Sequence, residues 1–273
     1  MSFFQGKVVV VTGSSNGIGR ATARLFAEKG AKLTITGRNA TTLKVTKNEC
    51  IAAGAKEEDI LEIIGDLEDE STPKKLIDGT IAKFGQIDVL INNAGMALND
   101  SKGRTHVNVP IADYDRLMNV NLRVILVLTQ LSVPYLEKTK GAIVNVSSIA
   151  GAPFTSPMFY YSVSKAGLDQ LTVQLAGNLV SKGIRVNAVN PGLTESDIPC
   201  KLGMSPEAAK KNYEEMSKNL EMFPTGRLAL PEDIAKLIVF LSDRSQSEYI
   251  IGQRITIDGG CLLRNALLSA ERK

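Results

Sequence analysis

The passage from Lys7 to Gly30 restricts the fold most. Lys7 to Val11 is a continuous valine-rich run, the pattern of a strand covered on both faces. It leads straight into Thr12-Gly13-Ser14-Ser15-Asn16-Gly17-Ile18-Gly19. A helical pattern follows, with Ile18, Ala21, Leu25 and Phe26 apolar and Gly30 as its stop. Glycines between a strand and a helix let the backbone turn sharply and come close to a pyrophosphate. The helix N-terminus beyond them offers unpaired N–H groups and a partial positive charge.

The rest of the chain repeats the alternation. Strand patterns lie at Lys32–Thr36, Ile60–Ile64, Val89–Ile91, Ile143–Val146, Arg185–Val189 and Arg254–Ile257. Helical patterns lie at Thr41–Ala53, Pro73–Phe84, Tyr114–Leu136 with a break near Pro134, Tyr160–Val180 and Glu232–Leu241. Such alternation implies right-handed βαβ units and a parallel sheet. The expected fold is one Rossmann-like α/β domain over residues 1–273, a seven-stranded parallel sheet with helices on both faces. Met96–Asp113 reads as a surface excursion and Ile149–Phe159 as a loop. Leu193–Arg227 has no clear place in the alternation.

Composition excludes several classes. A net charge of +3 on 273 residues gives no reason to invoke nucleic acid or an anionic membrane. No uninterrupted apolar run reaches the ~18 residues of a membrane span, and Met1–Gln5 is too short for a signal peptide. Cys50, Cys200 and Cys261 are odd in number and widely spaced, neither a disulfide framework nor a metal cluster. They are expected to be reduced thiols of a cytoplasmic protein. His106, the single histidine, reads as a surface residue, and no metal site is expected.

Tyr161 and Lys165, four residues apart, share a helix face. A free tyrosine, with a pKa of about 10, is a poor acid or base at neutral pH. A lysine ammonium at roughly 4 Å, with an effective dielectric near 20, is worth about 4 kcal/mol. That is enough to bring the phenol toward about 7, where it can pass a proton to or from an alcohol oxygen. Upstream, Val144-Asn145-Val146-Ser147-Ser148 reads as a buried strand ending in hydroxyls. Downstream, Ile184–Asn190 reads as a strand followed by Pro191-Gly192.

These segments, in order from about Gly6 to Gly260, resemble the short-chain dehydrogenase/reductase family, whose catalytic helix carries Tyr-x-x-x-Lys. The resemblance implies a catalytic set of Asn121, Ser148, Tyr161 and Lys165. Ser148 would hold the substrate oxygen, with Ser147 the competing candidate. Asn121 would help position Lys165 and a water, with Asn119 its neighbouring alternative. Lys165 would also bind the nicotinamide ribose.

The same resemblance makes Gly13, Ser14, Ser15, Asn16, Gly17, Ile18 and Gly19 the phosphate loop and Asp66-Leu67 the adenine pair. Asn93 would steady the central sheet beside the cofactor. Pro191-Gly192, with Leu193 and Thr194 after it, would border the nicotinamide amide. The second strand ends Thr36-Gly37-Arg38-Asn39 with no acid. A planar arginine fork there suits a ribose 2′-phosphate, and Ser14 or Asn16 could add hydrogen bonds. NADP(H) is therefore the expected cofactor, with NAD(H) the alternative.

Leu193–Arg227 falls where the family has its substrate lid. In it Pro199, Leu202, Met204, Met216, Met222 and Phe223 line an apolar pocket or pack the lid. The resemblance further implies a homotetramer, with contacts through the face of the catalytic helix opposite Tyr161 and through Ile255–Leu263. The activity expected is hydride transfer between NADP(H) and a carbonyl or secondary alcohol. Alternative substrates are a sugar such as glucose, a tropinone-like ketone, a steroid or an acyl thioester. From another class, a dinucleotide sensor without turnover remains as an alternative.

Overall fold

Burial ranks the strands before their order is known. β1 (Val8–Val11), β4 (Val89–Asn92), β5 (Ala142–Val146) and β6 (Arg185–Pro191) are buried along their whole length. β2 (Lys32–Gly37) is open only at its ends, while β3 (Ile60–Ile64) and β7 (Arg254–Ile257) are partly exposed throughout most of their length. The computed structural model, which describes residues 2–97, 108–152, 158–196 and 204–263, places them accordingly. One seven-stranded sheet runs β3-β2-β1-β4-β5-β6-β7, with β3 and β7 at the edges. Every neighbouring pair is parallel.

Successive residues of a strand face opposite sides, so each face of the sheet builds its own core. Val9, Val11, Leu33, Ile35, Val89, Ile91, Val144 and Val146 go to one cluster. They meet Phe26 of α1 (Gly17–Glu28), Leu43 of α2 (Ala40–Ala52) and Ile234 and Ile238 of α8 (Pro231–Ser242). Val10, Leu90, Ile143 and Val186 go to the other. They meet Leu76 of α3 (Ser71–Phe84), Leu128 of α5 (Val124–Thr139) and Ala176 of α6 (Phe159–Leu179).

The long helical pattern differs from its expectation. It breaks at a π-helical turn, Asn119–Arg123, between α4 (Ile111–Met118) and α5, and α5 runs through Pro134. Pro134 is exposed, so the carbonyl that loses its partner faces solvent. The π turn instead surrounds buried Asn121, whose side chain bonds outside the helix. The run Ile111–Thr139 is long and apolar enough to cross a membrane by length and composition. Here Val124, Leu128 and Leu136 from it fill the second core cluster.

Leu193–Arg227 gains a helix, α7 (Pro206–Ser217), started by the Ser205 side chain accepting from the Ala208 N–H at 3.1 Å. Its two ends meet: Thr194 and Ala229 form a parallel bridge. Pro199, Leu202, Cys200 and His106 lie outside the described residues.

Candidate active site

The site forms where β1, β4, β5 and β6 end. Gly13 follows β1 in the left-handed region, at φ +62°. A Cβ there would meet the Ala94 Cα at 2.8 Å, so only glycine lets the turn after β1 lie against the turn after β4. Asn93 fastens the two: its Nδ2 donates to the Thr12 carbonyl at 2.9 Å and the Gly13 carbonyl at 3.0 Å. Thr12 Oγ1 accepts in return from the Asn93 and Ala94 N–H groups at 3.0 and 2.9 Å. A Cβ on Gly19 would lie 2.3 Å from the Gly13 carbonyl oxygen, which closes the loop onto its own helix.

These residues fit a dinucleotide phosphate. Gly17, at φ +52°, has nothing within 4 Å of where a Cβ would sit, so the loop leaves a concavity there. α1 begins at Asn16 without a side-chain cap and has no acid in its first turn. Its amino end therefore keeps both its donors and its positive dipole for an anion. The Ser15 hydroxyl is buried without a hydrogen-bond partner and lies against Gly37, the last residue of β2. Next to it Arg38 extends with its side chain 66% exposed, its Nη1 3.7 Å from an Asp66 Oδ2.

One of the expected cofactor contacts is corrected. The Ser14 hydroxyl is fully buried and spent on backbone, donating to the Val11 and Thr36 carbonyls at 3.2 Å and accepting from the Thr36 N–H at 3.0 Å. It ties the loop to β2 and is not open to a ligand. The Leu67 side chain belongs to the second core cluster. Asp66 alone of that pair presents a side chain beside Arg38.

The catalytic candidates come from three places, the π turn, the end of β5 and α6. Tyr160 and Tyr161 are sorted by their partners. The Tyr160 hydroxyl donates to the Val109 carbonyl at 3.1 Å, whereas the Tyr161 hydroxyl is hydrogen-bonded to Ser148. The two serines separate in the same way: the Ser147 hydroxyl donates to the Lys165 carbonyl at 3.2 Å. Neighbours on an extended chain point to opposite sides, so only Ser148 reaches the tyrosine. Asn119 is only half-buried and its Oδ1 accepts from Arg123 at 3.4 Å. Asn121 is fully buried, with Oδ1 accepting from the Met96 N–H at 2.9 Å. Its Nδ2 donates to the Met96 carbonyl at 2.9 Å and to the Ser164 hydroxyl at 3.0 Å.

Lys165 is buried, with Nζ donating to the Val146 carbonyl at 2.9 Å and lying 5.6 Å from the Tyr161 ring centroid. Burial depresses this ammonium to about 8, with the Asp169 carboxylate pulling the other way. The Tyr161 phenol is pushed above its ordinary value by burial, partly offset by the Ser148 hydrogen bond. In this arrangement burial pushes the phenol up rather than down, and the Lys165 ammonium is engaged with the Val146 carbonyl. Asp169 and Asn190, both buried, are site neighbours that sequence reasoning missed. Asn190 Nδ2 donates to the Asp169 carboxylate at 2.8 and 3.0 Å and to the Ser148 carbonyl at 3.2 Å.

Beyond β6, Pro191 ends the strand and the Gly192 N–H donates to the Ile257 carbonyl at 3.0 Å. Thr194 Oγ1 donates to the Gly192 carbonyl at 3.0 Å, which closes the turn on itself.

Comparison with known proteins gives the same picture. Residues 13–261 match the family model described as Enoyl-(Acyl carrier protein) reductase. The chain is 35% identical over 260 residues to the 3-oxoacyl-(acyl-carrier-protein) reductase FabG of Thermotoga maritima, covering 95% of this chain and 99% of that one. Among solved structures it is similar to a short-chain dehydrogenase/reductase of unknown function from Caenorhabditis elegans, determined with cofactor. The TM-score is 0.92 and the identity 43%, over 96% of this chain and 97% of that one. The L-sorbose reductase of Gluconobacter frateurii, complexed with NADPH and L-sorbose, superposes with a TM-score of 0.86 at 28% identity. That match covers 96% of this chain and 99% of the reductase.

Proposed function

This chain belongs to the short-chain dehydrogenase/reductase family and is an oxidoreductase, and from that premise we propose that it reduces a carbonyl with NADPH, or oxidises the corresponding secondary alcohol with NADP. The observation that carries the reading is the joining of Ser148, Tyr161 and Lys165 beside a glycine loop that can take an anion.

Bound NADPH would supply the hydride, held by the Gly13–Gly19 loop, the Arg38 and Ser15 side chains and Lys165. The protein's own part is the proton. Ser148 orients the carbonyl oxygen, and the Tyr161 hydroxyl gives that oxygen its proton. A phenol held above its ordinary value is protonated at neutral pH, which is the state a donor needs. Asn121 fixes the turn after β4 through both of its amide atoms.

Arg38 supports NADP(H) over NAD(H). It stands exposed at the end of β2 beside an unpartnered Ser15 hydroxyl, and its pairing with Asp66 is long and open to water. The L-sorbose reductase was solved with NADPH, which favours the same cofactor and makes sugars one substrate class to try. Cytoplasmic location and a homotetramer belong to the same proposal. For the tetramer the support is an apolar depression of about 430 Å³ between α6 and the α4–α5 run, lined by Leu122, Leu126, Gly167 and Leu171.

The test is cofactor oxidation over a panel of ketones, sugars and acyl thioesters with NADPH and NADH. A charge-assisted contact to the 2′-phosphate is worth roughly 1.5–3 kcal/mol, so kcat/KM should favour NADPH by on the order of 10–100-fold. Exposure puts the value in the lower half of that range and makes it fall with salt. Arg38→Asp should collapse or reverse the preference while the maximum NADH-supported rate is nearly kept. A wild-type preference for NADH, or an unchanged ratio in the variant, would overturn the NADP(H) reading. Tight dinucleotide binding without turnover on any substrate would favour the sensor.

A further inference from the structure

Asp169 is a buried carboxylate that the proposed chemistry does not use. It lies one helical turn beyond Lys165 on α6 and is 7% exposed. Among the described residues no lysine or arginine is paired with it. Among the described residues its two oxygens share a single donor, Asn190 Nδ2, at 3.0 and 2.8 Å. Burying an anion with so little compensation opposes folding, so its presence needs another reason.

The surroundings supply one. Asn190 is 6% exposed, sits at the end of β6, and spends the same amide nitrogen on the Ser148 carbonyl at 3.2 Å. Ser148 in turn meets Tyr161, and Lys165 shares the helix with both Tyr161 and Asp169. The elements packed around Lys165 offer it the Val146 carbonyl of β5 and the backbone at Gly95. Tyr161 and Asp169, both on its own helix, are the titratable groups beside it.

We propose that Asp169 and Asn190 are positioning residues of this site: the Asp169 carboxylate is the buried counter-charge of Lys165, and Asn190 carries its hold to the main chain of Ser148. The proposal rests on the reductase reading for its purpose but not for its test. A carboxylate one helical turn away on the same buried face favours the charged lysine and opposes the desolvation that would neutralise it. Loss of the carboxylate therefore lets Lys165 deprotonate at lower pH.

The test reads Lys165 directly. In protein carrying carbon-13 at lysine Cε, the Lys165 resonance is identified by its loss in Lys165→Arg and followed against pH. Wild type should titrate at about 8. In Asp169→Asn the titration should move down by on the order of one pH unit, and Asp169→Glu should restore it. Where turnover exists, the alkaline limb of kcat should move down by the same amount. An unmoved titration in Asp169→Asn overturns the counter-charge.

Asn190→Ala reads the second arm, and it keeps the proposal falsifiable if Asp169→Asn fails to fold. The Ala150 N–H donates to Ser148 Oγ at 3.1 Å. Amide hydrogen exchange over residues 147–152 should speed up by about tenfold once the Asn190 bond to the Ser148 carbonyl is lost, leaving the Gly151 N–H at 3.1 Å as its donor. Wild-type exchange would overturn the hold on Ser148. Neither readout needs a substrate, so a protein that turns over no carbonyl would sink the reductase reading alone.

Discussion

Tyr161→Phe removes one oxygen and leaves the ring to pack under Lys165. Turnover should fall at least ~10²-fold, the range for a positioned acid–base group, while dinucleotide affinity measured by fluorescence titration stays near wild type. Near-normal turnover would remove Tyr161 from its role. At this scale the sequence was informative about kind and weak about direction. It offered two adjacent serines, and only the partner of Ser147 on another element shows which of them faces away. Ser14 misled for the same reason, since its bonds run to β2, 22 residues on. Asp169 and Asn190 went unseen because neither belongs to a motif and their contact joins a helix to a strand.

The strands and most helices were legible in the sequence because a buried parallel sheet writes continuous apolar runs between amphipathic stretches. The π turn was not, since its cause is a side chain bonding across to Met96 rather than any local periodicity. The segment after β6 was legible least. Its ends are pinned by the Glu195 N–H to the Ala229 carbonyl at 2.9 Å, and the Tyr213 hydroxyl ties α7 to the Ser196 carbonyl at 3.2 Å. Between these ties α7 buries only Ala209, the low packing expected of a movable element. A lid over the reacting atoms excludes water from hydride transfer. Limited proteolysis should therefore cut within Leu193–Arg227 quickly in the free protein and more slowly with NADPH. Equal rates would make the segment a fixed part of the body.

For the whole molecule, Val163, Gly167 and Leu171 form a stripe along one flank of α6, Gly167 and Leu171 facing Leu122 and Leu126 across an apolar depression. Light scattering should accordingly report about four times the 29.4 kDa of one chain, and a single 29.4 kDa species at working concentration would overturn the assembly. The two rims of the sheet divide the labour. Where the strands end lie the glycine loop and the proton-transfer set. Where they begin lie fixed charges that only hold the frame: Asp88 with the Val8 N–H at 2.8 Å and Lys7 at 3.0 Å, and Arg185 with the Ser247 carbonyl at 2.9 Å. β1 sets these rims roughly 13 Å apart, at about 3.3 Å per residue, and Phe4, seated edge-on against Phe26 at 5.0 Å, anchors the chain just before it. A linker grafted at the amino end would thus leave from the frame side. Tethered that way to a bead or an electrode, the molecule would hold its mouth toward the bulk solution.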